Sequence, residues 1–370
     1  MNDSKSIIWI GCYPAHYMRK MQCEVEKERP CKVFFLYTVV DQSNLTERAY
    51  ETGELPSNSK VIYKKDSLIQ TIQFMRSINP SMIVVAGYNN RFLFAALLWA
   101  RITGRKFCFM SDTNLLDALS QNYLWKNIKK LFLSRLLLHA YKLLYIGARN
   151  RDYYLWLIGR KNALAKLFAF PYPAILVEEE KNTGLEFGMK KLQILYVGRL
   201  EPIKAIGNLI QSVSLLSKST RNSIHVELYG DGSEYQRLVS LTDKLGLNEV
   251  VNFNGAIKSD NLQRAYESAD IFILPSEREP WGVVVNEAMS AGIPVMCPFW
   301  VGAAADLIID GVTGYLLDDN TPQALASGIE RGLEQREKLT LSGKRAREIV
   351  REGPWNQKAV TRRFISLMDE

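Results

Sequence analysis

Glu279 and Glu287 stand eight positions apart, the first in the polar run Pro275-Ser276-Glu277-Arg278-Glu279-Pro280, the second inside an apolar stretch that reads as helix. One carboxylate in a loop and one in the first two turns of the following helix can point into a single cleft at different depths. Carboxylates accept hydrogen bonds from paired hydroxyls, which a hexose and a ribose both present. The amides opening the helix, near Gly282–Val284, suit a phosphate lying between two such sugars. The plain alternative is two surface glutamates.

Two cations precede them. The apolar run Leu192–Val197 ends in Gly198-Arg199-Leu200-Glu201-Pro202-Ile203-Lys204. Ligands of open α/β sheets bind beyond the carboxyl ends of strands, so Arg199 and Lys204 sit where an anion would be met. Together they can neutralise a diphosphate; the alternative is two solvated charges. A second run, Ile224–Tyr229, ends in Gly230-Asp231-Gly232, followed by Ser233. Gly230 permits a tight turn or close backbone approach to a ligand, and Ser233 is placed to cap the next helix.

These residues need a scaffold, and the pattern supplies one. The chain has 370 residues, 47% of them hydrophobic and 23% charged, enough for two cores. Buried strands are predicted at Ile7–Ile10, Val33–Tyr37, Met82–Ala86, Phe107–Met110 and Leu143–Ile146, with helices over 67–77, 91–103 and 124–141. From Leu192 the alternation restarts: strands at Leu192–Val197, Ile224–Tyr229, Val250–Phe253, Ile271–Leu274 and Pro294–Cys297. Helices are expected at 205–217, 233–245, 259–268, 283–291, 321–334, 338–350 and 355–368. Strands alternating with helices give parallel sheets covered on both faces, so the fold class is α/β with two doubly wound domains. Pro171, Pro173 and Glu178–Asn182 read as a linker. The division expected is 1–176, 177–352 and, within 353–370, a last helix that crosses back to the first domain.

The segment from Glu279 resembles the signature of retaining glycosyltransferase family 4: a Glu in a Glu-Pro-aromatic-Gly context, seven residues, then a second Glu leading into Glu-Ala-Met. Other pieces stand in family order across roughly 192–320. They are Gly198-Arg199-Leu200 with Lys204, Gly230-Asp231-Gly232, Asn252-Phe253-Asn254-Gly255 with Ile257, Ala291–Val295 and Asp310–Gly314. The resemblance implies a GT-B fold, two Rossmann-like domains facing a central cleft. It also implies Arg199 and Lys204 on a donor pyrophosphate, Glu287 on ribose, and Glu279 on the transferred sugar. The Trp281–Gly282–Val283 backbone would lie beside sugar and phosphate, and Ile257 near the base. Transfer would retain anomeric configuration, with a nucleoside diphosphate sugar as co-substrate and no metal or cofactor.

The first half resembles the family in architecture and in the turn after its first strand, where Gly11 and His16 would approach the cleft. Many members carry a His after the fourth strand. Here Phe109-Met110-Ser111-Asp112-Thr113-Asn114 stands instead, making Asp112 the candidate to orient or deprotonate an acceptor hydroxyl. Its other reading is a helix cap.

Net charge is +8, yet residues 1–177 hold 25 Lys and Arg against 12 Asp and Glu, a balance of +13, and the remainder carries −5. Over 124–132, Leu124, Trp125, Ile128, Leu131 and Phe132 share one side of a helix, and Lys126, Lys129 and Lys130 the other. That pattern suits an anionic membrane surface and a saccharide or lipid-linked acceptor there; the alternative is a helix packing its apolar side on its own sheet. Nucleic acid is not expected, since the basic residues are interleaved with apolar ones and match no recognised motif. The five cysteines, Cys12, Cys23, Cys31, Cys108 and Cys297, show no metal-ligand spacing and are expected reduced and mostly buried. Neither a signal peptide nor a spanning segment is read: Phe92–Ala100 is closed by Arg91 and Arg101. A cytoplasmic protein, peripheral at the inner face of a membrane, is expected. Asn44-Leu45-Thr46 matches a glycosylation sequon and is given no weight. Rival readings are a catalytically silent scaffold at a membrane surface, and a nucleotide-sugar epimerase or phosphorylase of the same fold.

Overall fold

A computed structural model describes residues 6–12, 15–39, 55–63, 68–88, 90–174, 191–257 and 259–370. The sequon, Tyr13-Pro14 and the linker stretch 175–182 lie outside them. The chain divides into two compact units: Met1–Pro173 with Gln357–Glu370, and Ala174–Asn356.

The first unit is built on a parallel sheet. Its strands are β1 (Ile7–Gly11), β2 (Val33–Val39), β3 (Ser59–Tyr63), β4 (Met82–Ala86), β5 (Lys106–Met110), β6 (Lys142–Tyr145) and β7 (Leu167–Ala169), in the order β3-β2-β1-β4-β5-β6-β7. Ile7, Ile8, Trp9 and Ile10 are all buried, the continuous apolar run that a strand covered on both faces requires. The helices are α1 (His16–Glu28), α2 (Leu68–Ile78), α3 (Arg91–Ile102), α4 (Leu115–Ser120), α5 (Tyr123–Leu137), α6 (Ala148–Ile158) and α7 (Arg160–Leu164). Helix α5 stops at Leu137, four residues before the expected end. A turn through Leu138–Ala140 follows it, and Tyr141 N–H donates to the Phe107 carbonyl beside β6.

The second unit carries β8 (Leu192–Val197), β9 (Ile224–Tyr229), β10 (Val251–Gly255), β11 (Ile271–Ile273), β12 (Val295–Pro298) and β13 (Gly314–Leu317), parallel and ordered β10-β9-β8-β11-β12-β13. Around them lie α8 (Ile206–Leu215), α9 (Lys218–Asn222), α10 (Tyr235–Lys244), α11 (Ser259–Ser268), α12 (Val283–Ser290), α13 (Ala304–Leu307), α14 (Pro322–Glu334) and α15 (Arg336–Glu352). In each sheet the strand order reverses once, between β1 and β4 and between β8 and β11. Such reversals are where doubly wound sheets bind ligands.

Helix α16 (Gln357–Asp369) belongs to the first unit, where Thr361 donates to Glu24 of α1 at 2.8 Å. Its Phe364 ring meets those of Trp9 and Phe170 at 5.4 and 5.9 Å. No helix among the described residues is long and apolar enough to cross a membrane. The cysteine expectation needs correction. All five are free, but only Cys108 and Cys297 are buried, and Cys31 is exposed on the loop after α1.

Candidate functional site

The loop leaving β8 is shaped by its neighbour. Gly198 N–H donates to the Tyr229 carbonyl at 3.0 Å, Leu200 N–H to Asp231 at 2.9 Å and Glu234 N–H to Leu200 at 2.9 Å. A Cβ on Gly230 would fall 1.8 Å from the Gly198 carbonyl oxygen. Gly230 therefore admits the 198–200 backbone, and that packing demand alone accounts for its type. Ser233 does not cap the next helix. Its hydroxyl donates to Glu201 at 2.8 Å, and α10 starts without a side-chain cap because Glu234 holds the capping position in a helical conformation.

Past Leu200 the chain makes a single 3-10 turn, Pro202–Lys204, before α8, with Ala205 at φ 52° between them. That turn places Lys204 Nζ in an ion pair with Glu279 Oε2, both side chains largely buried. The Ser276 hydroxyl donates to the same carboxylate oxygen at 3.4 Å. Arg199 is exposed. Its carbonyl accepts from the buried Tyr196 hydroxyl at 2.9 Å. Burial, and then the Glu279 charge, raise that phenol well above its ordinary range, while Arg199 opposes them. Tyr196 thus senses both charged groups.

The 279–282 loop is pinned from the far side. Gly302 N–H donates to the Glu279 carbonyl at 3.0 Å and Ala303 N–H to that of Trp281 at 2.8 Å. Trp300 Nε1 donates to the Ser276 carbonyl at 3.0 Å. The Trp281 ring is buried, donating to Asn286 Oδ1 at 3.0 Å, so the indole serves the core. Gly282 precedes α12 with φ 92°, a left-handed conformation that a side chain would resist. Val283 opens that helix and Glu287 lies in its second turn, 6% exposed. The Glu287 carboxylate accepts from the buried Tyr266 hydroxyl of α11 at 2.9 Å. Ile257, half-buried, follows β10.

The fold thus brings Arg199, Lys204, Glu279 and Glu287 to loops and a helix at the carboxyl ends of β8 and β11, the reversal point of the second sheet. Sequence reading did not find Tyr266, Ser276, Tyr196 or Trp300. They touch the site through the fold; Ser276 lies inside a motif and Tyr196 just before one, while Tyr266 and Trp300 lie outside the motifs. Among the described residues no group of three or more His, Cys, Asp and Glu side chains gathers as a metal site would.

In the first unit a cavity of about 170 Å³ opens at the carboxyl ends of β1, β4 and β5, lined by Gly11, Cys12, Gly87, Ser111, Asp112 and Tyr172 among others. Asp112 is exposed, and it does not cap the following helix. That task falls to Asn114, which accepts from Asp117 N–H at 2.8 Å. The Thr113 carbonyl accepts from Asn150 at 2.7 Å, fixing the loop that carries Asp112. His16 supplies the first residue of α1.

Two parallel-sheet Rossmann-like units of this order define the GT-B class, and solved GT-B structures cover the whole chain. HepE of Anabaena in complex with UDP superposes with a TM-score of 0.74 at 17% identity, covering 98% of this chain and 99% of that one. Sucrose-phosphate synthase of Thermosynechococcus elongatus gives 0.77 at 17% identity, covering 99% and 98%. Residues 177–349 match the family described as glycosyl transferases group 1.

Curated relatives cover the same region. An uncharacterized glycosyltransferase of Methanocaldococcus jannaschii is 34% identical over 158 residues, 42% of this chain and 40% of its own. D-inositol 3-phosphate glycosyltransferase of Mycolicibacterium gilvum is 34% identical over 139 residues, 36% and 30% respectively. Sulfoquinovosyl transferase of Arabidopsis thaliana is 32% identical over 169 residues, 45% and 31%. The chain thus spans well under half the length of these relatives.

Proposed function

We propose that this chain transfers a hexose-type sugar from a UDP- or GDP-linked donor to a glycan, glycolipid or lipid-linked acceptor, with retention of anomeric configuration. Its place would be the assembly of cell-surface polysaccharide or another glycoconjugate, in the cytoplasm or at the inner face of a membrane. The observation that carries the reading is the grouping of Lys204, Glu279 and Glu287 at the reversal point of a group 1 domain. The UDP in HepE supports the donor class.

In this reading Glu287 accepts the ribose hydroxyls and Tyr266 fixes its orientation. Lys204 and Arg199 take the diphosphate, and Glu279 meets the transferred sugar. The bond from the anomeric carbon to the phosphate oxygen breaks, a bond to the acceptor oxygen forms on the same face, and the acceptor proton passes to the departing phosphate. Charge on that leaving group is what Lys204 and Arg199 stabilise, a task that requires no metal ion. Asp112, in the first unit's cavity, orients the acceptor hydroxyl.

Calorimetry and thermal shift against UDP, GDP, ADP and their sugars test the reading. A ligand at 100 times its Kd stabilises the fold by about 2.7 kcal/mol, well within detection. Selective binding of one nucleotide, lost in Glu287→Ala, is the expected result. A folded protein that binds none of them overturns the proposal.

A further inference from the structure

Helix α5 is amphipathic the wrong way round for a helix that packs on its own sheet. Leu133, Leu136 and Leu137, near its end, are buried. Tyr123, Leu124, Trp125, Ile128, Leu131 and Phe132 are exposed, Trp125 by 69%. The lysines stand half-buried at the flanks of that exposed side. Lys129 Nζ sits over the Tyr88 ring at 4.9 Å and Lys130 Nζ over Trp156 at 4.2 Å. The expected alternative, an apolar side packed on the core, is therefore not what forms.

The exposed surface continues beyond α5. Phe132 packs its ring, tilted, against Phe94 of α3 at 5.5 Å. One and two turns further along α3 stand Leu98 and Ile102, both exposed, Ile102 by 82%. Leu116 and Leu119 of α4 are exposed as well. Single apolar residues on a surface are ordinary, but a field drawn from three successive helices is not.

We infer that this α3–α5 face docks on an anionic lipid bilayer, with Trp125, Ile128 and Phe132 inserted among the acyl chains. The charge around it points to that occupant. Between Asp117 and Asp152 the sequence has seven Lys and Arg and no acidic residue. Lys126, Lys129, Lys130 and Arg135 ring the apolar stripe, the arrangement that combines apolar insertion with attraction to anionic headgroups. A second copy of this chain is disfavoured by the same charges, because a two-fold contact would lay the cationic ring against itself. Docking would also hold the first unit's cavity near the lipid surface. Tyr88, under Lys129, follows cavity-lining Gly87, and α4 begins three residues after Asp112.

The inference is independent of the donor-site reading, and its test keeps the two apart. The full chain is sedimented with vesicles of pure phosphatidylcholine and of phosphatidylcholine with 30% phosphatidylglycerol as probe, roughly the anionic share that makes a surface strongly negative. The comparison is the double variant Trp125→Ser with Ile128→Ser; both positions are exposed, and melting curves check its fold. Binding to the anionic vesicles, reduced at least tenfold in the variant and weakened by salt, supports the inference, as does a blue shift of Trp125 fluorescence absent in Trp125→Phe. Equal binding to both vesicle types, undiminished binding by the variant, or no binding at all overturns it. A dimer in solution that the variant dissolves also overturns it, assigning the face to a second copy. UDP affinity is measured alongside, and its loss or retention in the wild type bears on the donor site alone.

Discussion

The Tyr266 hydroxyl donates to Glu287 across 2.9 Å from a neighbouring helix, with both side chains buried. Burial raises the phenol far above its ordinary range, first through desolvation and then through Glu287 itself, so Tyr266 remains a donor across the physiological pH range. A hydrogen bond to a charged group contributes about 1.5–3 kcal/mol. Tyr266→Phe is expected to weaken nucleotide binding about tenfold by calorimetry. Unchanged affinity would show that Glu287 needs no help in holding its orientation.

Lys204→Ala removes the cation facing Glu279 and leaves that carboxylate with Ser276 as its neighbour. Donor use should fall at least tenfold, the equivalent of about 1.5–3 kcal/mol, and so should that of Glu287→Ala. Initial rates over a range of donor concentrations measure it. Near-wild-type kinetics in either variant would remove that residue from the donor site.

Because Lys204 and Arg199 are assigned the leaving-group charge, a chelator should leave the transfer rate unaltered. Activity that vanishes with chelator and returns with magnesium would contradict this assignment.

Gly230→Ala would drive a methyl to 1.8 Å from the Gly198 carbonyl. Forced backbone strain costs about 1–3 kcal/mol. For a unit of this size that lowers Tm by roughly 2–12 °C. A thermal melt no different from wild type would mean that the two loops separate freely.

Cys12 lines the first unit's cavity, where burial, and secondarily Asp112, push its thiol from 9.0 to about 11, opposed by Asn90. The raised value favours the neutral thiol, so any stability it contributes is present below pH 9 and lost as pH climbs toward 11. At pH 8 its thiolate fraction is about a hundredfold below that of an ordinary cysteine. Mass spectrometry after brief iodoacetamide treatment should find exposed Cys31 labelled and Cys12 spared. Equal labelling would contradict the half-buried, electronegative setting of Cys12.

Much of this architecture is written in local pattern, and the strands it misses lie at sheet edges. Strands β3, β7 and β13 have no predicted counterpart, and all three are edge strands. An edge strand lacks cover on one side, so Ser59-Lys60-Val61-Ile62-Tyr63 never forms the uninterrupted apolar run by which β1 and β4 are recognised. At the site, Glu279, Glu287 and Lys204 are legible because motif and spacing coincide. Tyr266, by contrast, meets Glu287 only through the packing of α11 on α12. For α5 the period reveals two faces, and nothing local decides which one the core accepts.

The discontinuity of the first unit has a consequence for synthesis. Phe364 completes the aromatic contact with Trp9 and Phe170, so the core of this unit stays open while 174–356 are being translated. At about 5–20 residues per second, Trp9 waits roughly 20–70 s for its partner. The second unit is contiguous and can be finished on the ribosome in that interval. The usual order of maturation is reversed, and the half of the chain made first is the half whose core closes last.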